Sequence, residues 1–183
     1  MNALEFSDAS DWELWLTIQH DKRTEAWLRI GKRHASVPLI TIAEAGELAL
    51  CFGWIDGQRK ACDEVSFLQR YSRRRPGTPW SKINVGRVES LVQAGRMRPP
   101  GIKEIDEAKA DGRWEAAYES QRSASVPAEL TAALTGSPLA SAAFDGLSRS
   151  DRYLLILPML KAYTPETRAS ALARVVTRLA IQA

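Results

Sequence analysis

The amino-acid sequence predicts an α+β fold, with a small antiparallel sheet packed on helices and a C-terminal helical region after it. From residue 10 to about residue 115, helix-capping signals alternate with short β-prone runs. Beyond that point only helix start and stop signals recur. We therefore predict an α+β domain over residues 1–119 and a helical region over residues 126–183, separated by the polar stretch 120–125.

The first half of the predicted domain has the pattern of helix, strand and helix. A capping-box spacing that starts at Ser10 predicts a helix to about His20. The run EAWLRIG at residues 25–31 predicts a strand, and a second capping box at Thr41 predicts a helix that ends near Gly53. The buried side of the first helix is predicted to consist of Trp12, Trp15, Leu16 and Ile18.

Two β-prone runs follow, WIDGQRKA over residues 54–61 and SFLQRYSR over residues 66–73. We predict that they form antiparallel strands joined around residues 62–65, with Asp56-Gly57 as either a tight turn or a bulge. Alternation with a period of two divides the second run into one face with Phe67, Gln69, Tyr71 and Arg73 and another with Leu68, Arg70 and Ser72.

The rest of the chain is predicted to be helical. Trp80 and Ser81 suit the staple and cap of a helix that Gly95 ends. Residues 99–101 predict a break, followed by a helix that Gly112 closes. The predicted buried face of the helix after Ser81 is Ile83, Val88, Leu91 and Val92, later helices are predicted to start at Pro127, Pro138, Ser148 and Thr164, and Pro158 is predicted to kink or end its helix.

The positive charge of the chain is concentrated in one window. Residues 54–103 carry eleven Lys or Arg against four acidic residues, a net charge of +7. The remaining residues carry fourteen bases and eighteen acids, a net charge of −4. A basic band in an otherwise slightly acidic protein indicates a localised site for an anion. The alternative is an exposed, arginine-rich hairpin without a ligand.

No segment predicts export, membrane insertion or a metal site. The longest apolar run, residues 153–157, is far shorter than the roughly 20 residues of a membrane span. The first residues lack the pattern of a signal peptide, so we expect a cytoplasmic protein. Cys51 and Cys62 lack a metal-ligand spacing, which predicts two reduced thiols, no metal and no cofactor.

The candidate binding residues lie in or beside this basic band. Three consecutive arginines precede the helix that follows Trp80, and its first turn is expected to offer free N–H groups to a phosphate or carboxylate. Asp56 is either a turn-forming residue or an acid or base tuned by an arginine. The predicted ligand-binding residues are Trp54, Asp56, Arg59, Arg70, Tyr71, Arg73, Arg74, Arg75, Trp80, Lys82 and Asn84, and no catalytic residue is assigned.

A series of short segments carries a family resemblance. These segments are TIAEAGELALCFGWID (41–56), LQRY (68–71), Arg74-Arg75, WSKIN (80–84), Gly95-Arg96-Met97, AKADGRW (108–114) and PETR (165–168). On them the chain resembles the bacteriocin-protection, YdeI or OmpD-associated proteins, from about Trp12 to Leu179. The resemblance implies an α+β domain of the YjbR and CyaY-like type and implies no particular reaction. Ser72-Arg73 replaces the Thr-Pro that is more frequent in that family, and Cys62 replaces an aliphatic residue.

Three functions are compatible with these patterns. The favoured one is a non-catalytic binding or stress-response module whose basic, aromatic face holds an anionic ligand, either a phosphorylated metabolite or a nucleic acid. The second is an enzyme that uses Asp56 with Arg70 and Lys82. The third is a protein-interaction module that binds an unknown partner through the C-terminal helices.

Overall fold

The computed structural model describes residues 3–182, and within them the chain forms eight helices and three strands. The predicted α+β class is confirmed. In chain order the elements are α1 (Ala9–Gln19), β1 (Glu25–Gly31), α2 (Ile42–Cys51), β2 (Trp54–Ala61), β3 (Ser66–Arg73), α3 (Lys82–Gln93), α4 (Pro99–Ala110), α5 (Ala128–Thr135), α6 (Pro138–Asp145), α7 (Arg149–Lys161) and α8 (Pro165–Gln182).

The chain divides into two compact units. The first unit comprises Met1–Thr78 and Gly86–Glu107, and the second comprises Pro79–Val85 and Ala108–Ala183. The limits 1–119 and 126–183 stay a prediction, and residues 1, 2 and 183 at their ends lie outside the described residues.

The first unit contains the sheet, with the antiparallel strand order β1-β3-β2. The three strands and the turn at residues 62–65 lie where the sequence predicts them. The register of β2 against β3 shifts between Asp56 and Arg59, so the Asp56-Gly57 signal corresponds to a bulge. Gln69, which is 2% exposed, stabilises this bulge because its Nε2 donates to the carbonyl oxygens of Gly57 and Gln58, at 3.0 and 3.3 Å.

Aromatic side chains of one sheet face and of α1 form a buried cluster. Trp12 and Trp54 are both fully buried, with ring centroids 6.4 Å apart in an edge-on arrangement. The indole N–H of Trp12 donates to the carbonyl oxygen of Ala45 in α2 at 3.1 Å, which ties α1 to α2. Two expectations for α1 are wrong. Asp8 caps the helix instead of Ser10, since its Oδ1 accepts from the Ser10 N–H, and Ile18 is 47% exposed.

The caps of α2 and α3 are as predicted. Thr41 and Glu44 form both hydrogen bonds of a capping box, and the Ser81 hydroxyl accepts from the Asn84 N–H at 3.2 Å. In α3 the prediction for Ile83 and Val92 is wrong, because they are 50% and 51% exposed. The buried stripe is narrower than predicted and consists of Asn84, Val88 and Leu91, at helical spacings of four and three.

Prolines lie at the start of α4 and inside α7, where the sequence predicts a break and a kink or end of the helix. The predicted break at residues 99–101 is instead the first turn of α4, where a missing N–H is tolerated. Pro158 does not end α7, which continues to Lys161.

The helices α5–α8 lie in the second unit and share one apolar core. As predicted, Ser148 caps α7 and Pro138 occupies the first position of α6. Ser137, which was not predicted to be a cap, caps α6. None of the helices that the structure describes combines the length and apolar character of a membrane span. The core residues are Leu130, Leu134, Ala140, Phe144, Leu155, Ile156, Met159, Ala171, Val175 and Leu179.

Candidate functional site

The aromatic side chains assigned to the predicted binding face are buried. Trp54 and Tyr71 have no exposed surface, and Trp80 is 2% exposed. Trp54 and Tyr71 both contact the ring of Trp12 in the first unit, whereas the ring of Trp80 lies 5.0 Å from that of Trp114 in the second. The prediction of a basic, aromatic face is therefore wrong for its aromatic part, because these rings belong to cores and cannot stack on a nucleic-acid base.

Tyr71 is the buried polar group at the centre of this aromatic cluster. Burial, and secondarily the charge of Asp56, raise the pKa of the Tyr71 phenol well above its usual value. Its hydroxyl forms no hydrogen bond within the part of the chain that the structure describes. The phenol therefore stays neutral at physiological pH, and Tyr71 carries no negative charge.

Four of the predicted arginines share one concave surface in the first unit. We call it the arginine pocket; its volume is about 410 Å³. The side chains come from the end of β3 and the loop after it, together with the start of β1. The lining residues are Thr24, Glu25, Arg70, Ser72, Arg73, Arg74, Arg75 and Pro76, which places four positive charges against one negative charge.

Two of these arginines are fixed by protein partners. The guanidinium of Arg70 donates from Nη2 to the Glu25 carboxylate at 2.6 Å, across the paired strands β3 and β1. Arg74 is only 6% exposed, and its backbone N–H donates to the Gly53 carbonyl oxygen at 3.1 Å. The ion pair with Glu25 offsets the charge of Arg70, and the backbone hydrogen bond of Arg74 fixes the start of the loop after β3.

The other two arginines are exposed. Arg73 donates from Nη2 to the Asp21 carbonyl oxygen at 3.1 Å, a partner that does not neutralise its charge. Arg75 begins a tight turn, in which the Thr78 N–H donates to the Arg75 carbonyl oxygen at 3.0 Å. Pro76 and Gly77 occupy the middle of this turn, and Gly77 has the positive φ of 75° that a type II turn requires. The turn therefore presents Arg75 on a locally rigid backbone.

The first turn of α3 has fewer free donors than predicted. The Lys82 N–H donates to the Tyr118 carbonyl oxygen at 2.9 Å, and the Asn84 N–H donates to Ser81. The Lys82 ammonium forms an ion pair with Glu119, which lowers the pKa of that carboxyl group. The expectation of unpaired N–H groups here is wrong for Lys82 and Asn84, because both already donate within the second unit.

Asp56 lies on the exposed part of β2, the strand at one edge of the sheet. In the register Asp56 pairs with Tyr71 and thus shares its face, whereas Arg70 points to the opposite face. Asp56 is absent from the arginine pocket. An enzyme built on Asp56 and Arg70 therefore lacks the required convergence of the two side chains on one substrate.

A second concavity of the first unit was not predicted. It has a volume of about 940 Å³, and we call it the loop cavity. Of the predicted site residues only Arg59 lines it. The signal that could have revealed it is the basic run Lys32-Arg33-His34, directly after β1 and outside the basic window at residues 54–103. The lining residues are Gly31, Lys32, Arg33, His34, Ala35, Val37, Leu39, Thr41, Ile42, Ala43, Arg59 and Phe67.

Other kinds of site have less support. Within residues 3–182, no group of three or more His, Cys, Asp or Glu side chains could hold a metal ion. Cys51 is buried and Cys62 is exposed, and both are free thiols. Exposed apolar side chains do occur on α6, α7 and α8, at Leu139, Leu154 and Ile181. They belong to three different helices, and the protein-interaction hypothesis stays a prediction.

Comparison with known families gives two matches. A family model described as a domain of unknown function, DUF8412, matches residues 4–104, more than half of the 183 residues. The chain belongs to the DUF8412 family. A second model, described as bacteriocin-protection, YdeI or OmpD-associated, matches residues 123–181. Comparison with curated proteins and with solved structures found no match.

The two matches cover different parts of the chain. The DUF8412 match contains all three strands, the arginine pocket and the loop cavity. The bacteriocin-protection match contains the helices α5–α8. The predicted resemblance to the latter family is confirmed, but over a shorter stretch than predicted. Of the segments on which the prediction rests, only PETR at residues 165–168 lies inside this match.

Proposed function

We propose that this chain is a non-catalytic binding module that takes a small phosphate-bearing ligand in the arginine pocket. The observation that carries the proposal is that four arginines and one glutamate line a single concave surface. Guanidinium groups suit phosphate because they donate two parallel hydrogen bonds to its oxygens. The bacteriocin-protection description of the family that matches residues 123–181 supports a protective, stress-response role for such a module.

A small ligand is favoured over a nucleic acid for two reasons. The pocket volume of about 410 Å³ lies in the range of small-molecule sites, roughly 300–1,000 Å³. Nucleic-acid surfaces combine a basic stripe with aromatic rings that stack on bases, and here Trp54, Tyr71 and Trp80 are buried. The proposed ligand is therefore a phosphorylated metabolite held by Arg73 and Arg75.

The test uses pyrophosphate as the probe and isothermal titration calorimetry as the measurement. The variant Arg73→Gln/Arg75→Gln removes both exposed guanidinium groups and keeps Arg74, whose burial makes it a structural residue. We expect this variant to bind pyrophosphate at least roughly tenfold more weakly, since each charge-assisted hydrogen bond contributes about 1.5–3 kcal/mol. Binding by the unaltered protein should weaken as salt is added, because exposed charges are screened.

The matched control is Arg33→Gln/Arg59→Gln, which removes two exposed arginines from the loop cavity of the same unit. It should bind pyrophosphate as the unaltered chain does. Equal weakening in both variants would show that only net charge matters and would contradict the proposal. Tighter binding of a single-stranded oligonucleotide than of pyrophosphate would indicate a nucleic-acid surface instead.

A further inference from the structure

We infer that the loop cavity is a second, separate site and binds an apolar carboxylate, a molecule with one carboxylate group on a hydrocarbon or aromatic body. The cavity is bounded by the loop between β1 and α2, the first turn of α2, and one end of the sheet. Its volume of about 940 Å³ is that of a site for a drug-sized molecule. This inference does not depend on the arginine pocket, which has different lining residues.

The charge of the cavity is positive, and no Asp or Glu belongs to its lining. Arg33 and Arg59 are exposed, and neither forms an ion pair among residues 3–182. Lys32 contributes less, because its ammonium group already donates to the carbonyl oxygens of Asp63 and Glu64, at 2.8 and 3.1 Å. The two exposed guanidinium groups are therefore the groups that would bind the carboxylate.

Arg59 is held in a defined orientation. Its guanidinium carbon lies 4.2 Å from the centroid of the Phe67 ring, and its Nε donates to Gln69 Oε1 at 3.3 Å. Within the described residues these contacts leave its Nη1 and Nη2 groups without a protein acceptor. A planar guanidinium fixed on one side and open on the other is suited to bidentate binding of a carboxylate.

The remaining wall of the cavity is apolar. Val37, Leu39 and Phe67 line it and are only half-buried. Gly31 lies behind the loop, where an added Cβ would sit 3.4 Å from Val37 Cγ2 and 3.5 Å from the Leu39 Cβ. A free phosphate has no apolar part to place against this wall. An apolar carboxylate, in contrast, would bury its hydrocarbon part there.

The start of α2 forms one rim of the cavity. Thr41 and Glu44 cap the helix reciprocally, which uses the N–H groups of Thr41 and Glu44. Ile42 and Ala43, which line the cavity, form the first turn between them. The Glu44 carboxylate at this helix end offsets the partial positive charge of the helix dipole, so Arg33 and Arg59 supply the attraction for a bound carboxylate.

The test is displacement of 1-anilinonaphthalene-8-sulfonate, a fluorescent apolar sulfonate, from the full-length protein at neutral pH. Three competitors are compared: octanoate, its uncharged counterpart 1-octanol, and inorganic phosphate. We expect octanoate to displace the dye at roughly tenfold lower concentration than 1-octanol, since only octanoate accepts charge-assisted hydrogen bonds. Inorganic phosphate should not displace it.

Two variants separate the cavity from general surface charge. Arg33→Gln/Arg59→Gln should abolish the preference for octanoate over 1-octanol. Lys60→Gln should keep it, because Lys60 neighbours Arg59 in β2 but places its ammonium group 4.6 Å from the Trp27 ring and does not line the cavity. Circular dichroism would verify that each variant is folded before titration.

Several results would overturn the inference. These results are a folded protein that does not bind the dye, equal competition by octanoate and 1-octanol, and displacement of the dye by inorganic phosphate. The Arg73→Gln/Arg75→Gln variant distinguishes this site from the arginine pocket. It should lose pyrophosphate binding and keep the preference for octanoate, and loss of both would contradict two separate sites.

Discussion

At the scale of single residues, Asp63 organises the turn between β2 and β3. Its Oδ1 accepts from the N–H groups of Val65 and Ser66, at 3.0 and 2.7 Å, and from the Ser66 hydroxyl at 2.7 Å. Its Oδ2 accepts from Arg29 Nη2 at 2.6 Å. The hydrogen bond from the Ser66 hydroxyl, with those from the Val65 N–H and Arg29, holds the pKa of the Asp63 carboxyl well below its usual value.

When the pH is lowered, the Asp63→Asn variant should lose less stability than the unaltered chain. A carboxyl group with a lowered pKa in the folded state stabilises the fold above its unfolded pKa, about 3.9, and this contribution is lost as the pH falls. The free energy of unfolding should thus drop more between pH 6 and pH 3 for the unaltered chain than for Asp63→Asn. Urea unfolding at both pH values measures this difference.

The control for Asp63 is Asp106→Asn, at an exposed position of α4. This variant should show the same acid dependence as the unaltered chain. If Asp63→Asn also showed it, the hydrogen bonds that the Asp63 carboxylate accepts would not be the source of the effect.

The residues of the arginine pocket show what sequence alone could and could not predict. The basic loop was found because its three arginines are adjacent in the chain. The salt bridge between Arg70 and Glu25 joins residues 45 positions apart, and it depends on the register that pairs Glu25 with Ser72. Local patterns carry no information about that register across the sheet. The burial of Arg74 could not be predicted for the same reason.

At the scale of elements, two helical glycines have opposite surroundings. Gly46 lies in α2, and a Cβ added there would meet nothing within 4 Å. Gly101 lies in the first turn of α4, where a Cβ would overlap the carbonyl oxygen of Cys51 and lie 2.6 Å from Met97 Cε. Gly101 is therefore required for the close approach of α4 to the end of α2, and Gly46 is not.

The same substitution should change stability in opposite directions at these two glycines. Gly46→Ala should raise the free energy of unfolding by roughly 0.5–1 kcal/mol, because alanine loses less backbone entropy in a helix. Gly101→Ala should lower it by about 1–3 kcal/mol, because the added methyl group forces the helices apart. Urea unfolding of both variants measures the two changes. A stabilised Gly101→Ala protein would contradict the close approach of α4 to α2.

The sequence predicts where most helices and strands begin and end, but it predicts less well which of their faces are buried. The three strands were located correctly because alternation and turn signals are local. In α3 the apolar Ile83 and Val92 are exposed while Asn84 is buried. The buried side of a helix depends on the surfaces against which the helix packs. The amphipathic pattern of α3 is too weak to predict that side.

At the scale of the whole molecule, the two family matches fall on different halves of the chain. The sheet and both candidate sites lie within residues 4–104, and the core of α5–α8 lies within residues 123–181. Leu130 is fully buried in that helical core, and every member of the core belongs to the second unit.

Replacing Leu130 by Ala should destabilise the helical core by about 2–5 kcal/mol, since it leaves a cavity among α5–α8. Hydrogen–deuterium exchange followed by mass spectrometry should show faster exchange in these helices. Exchange in β1, β2 and β3 should stay close to that of the unaltered chain, and pyrophosphate binding should persist. If exchange in the sheet were accelerated equally, the helical region predicted at residues 126–183 would not be stable independently of the sheet.

The bulge in β2 also affects how the protein behaves toward other copies of itself. An exposed strand edge is a template for pairing with further strands, and such pairing leads to aggregation. At β2 the bulge interrupts the regular spacing of backbone groups, and Arg59 and Lys60 place two positive charges beside it. At the other edge Leu4 pairs with β1 through two hydrogen bonds, Leu4 N–H to Trp27 and Arg29 N–H to Leu4. Both edges are thus poor templates, which favours a sheet that stays three-stranded even when newly made chains are crowded together.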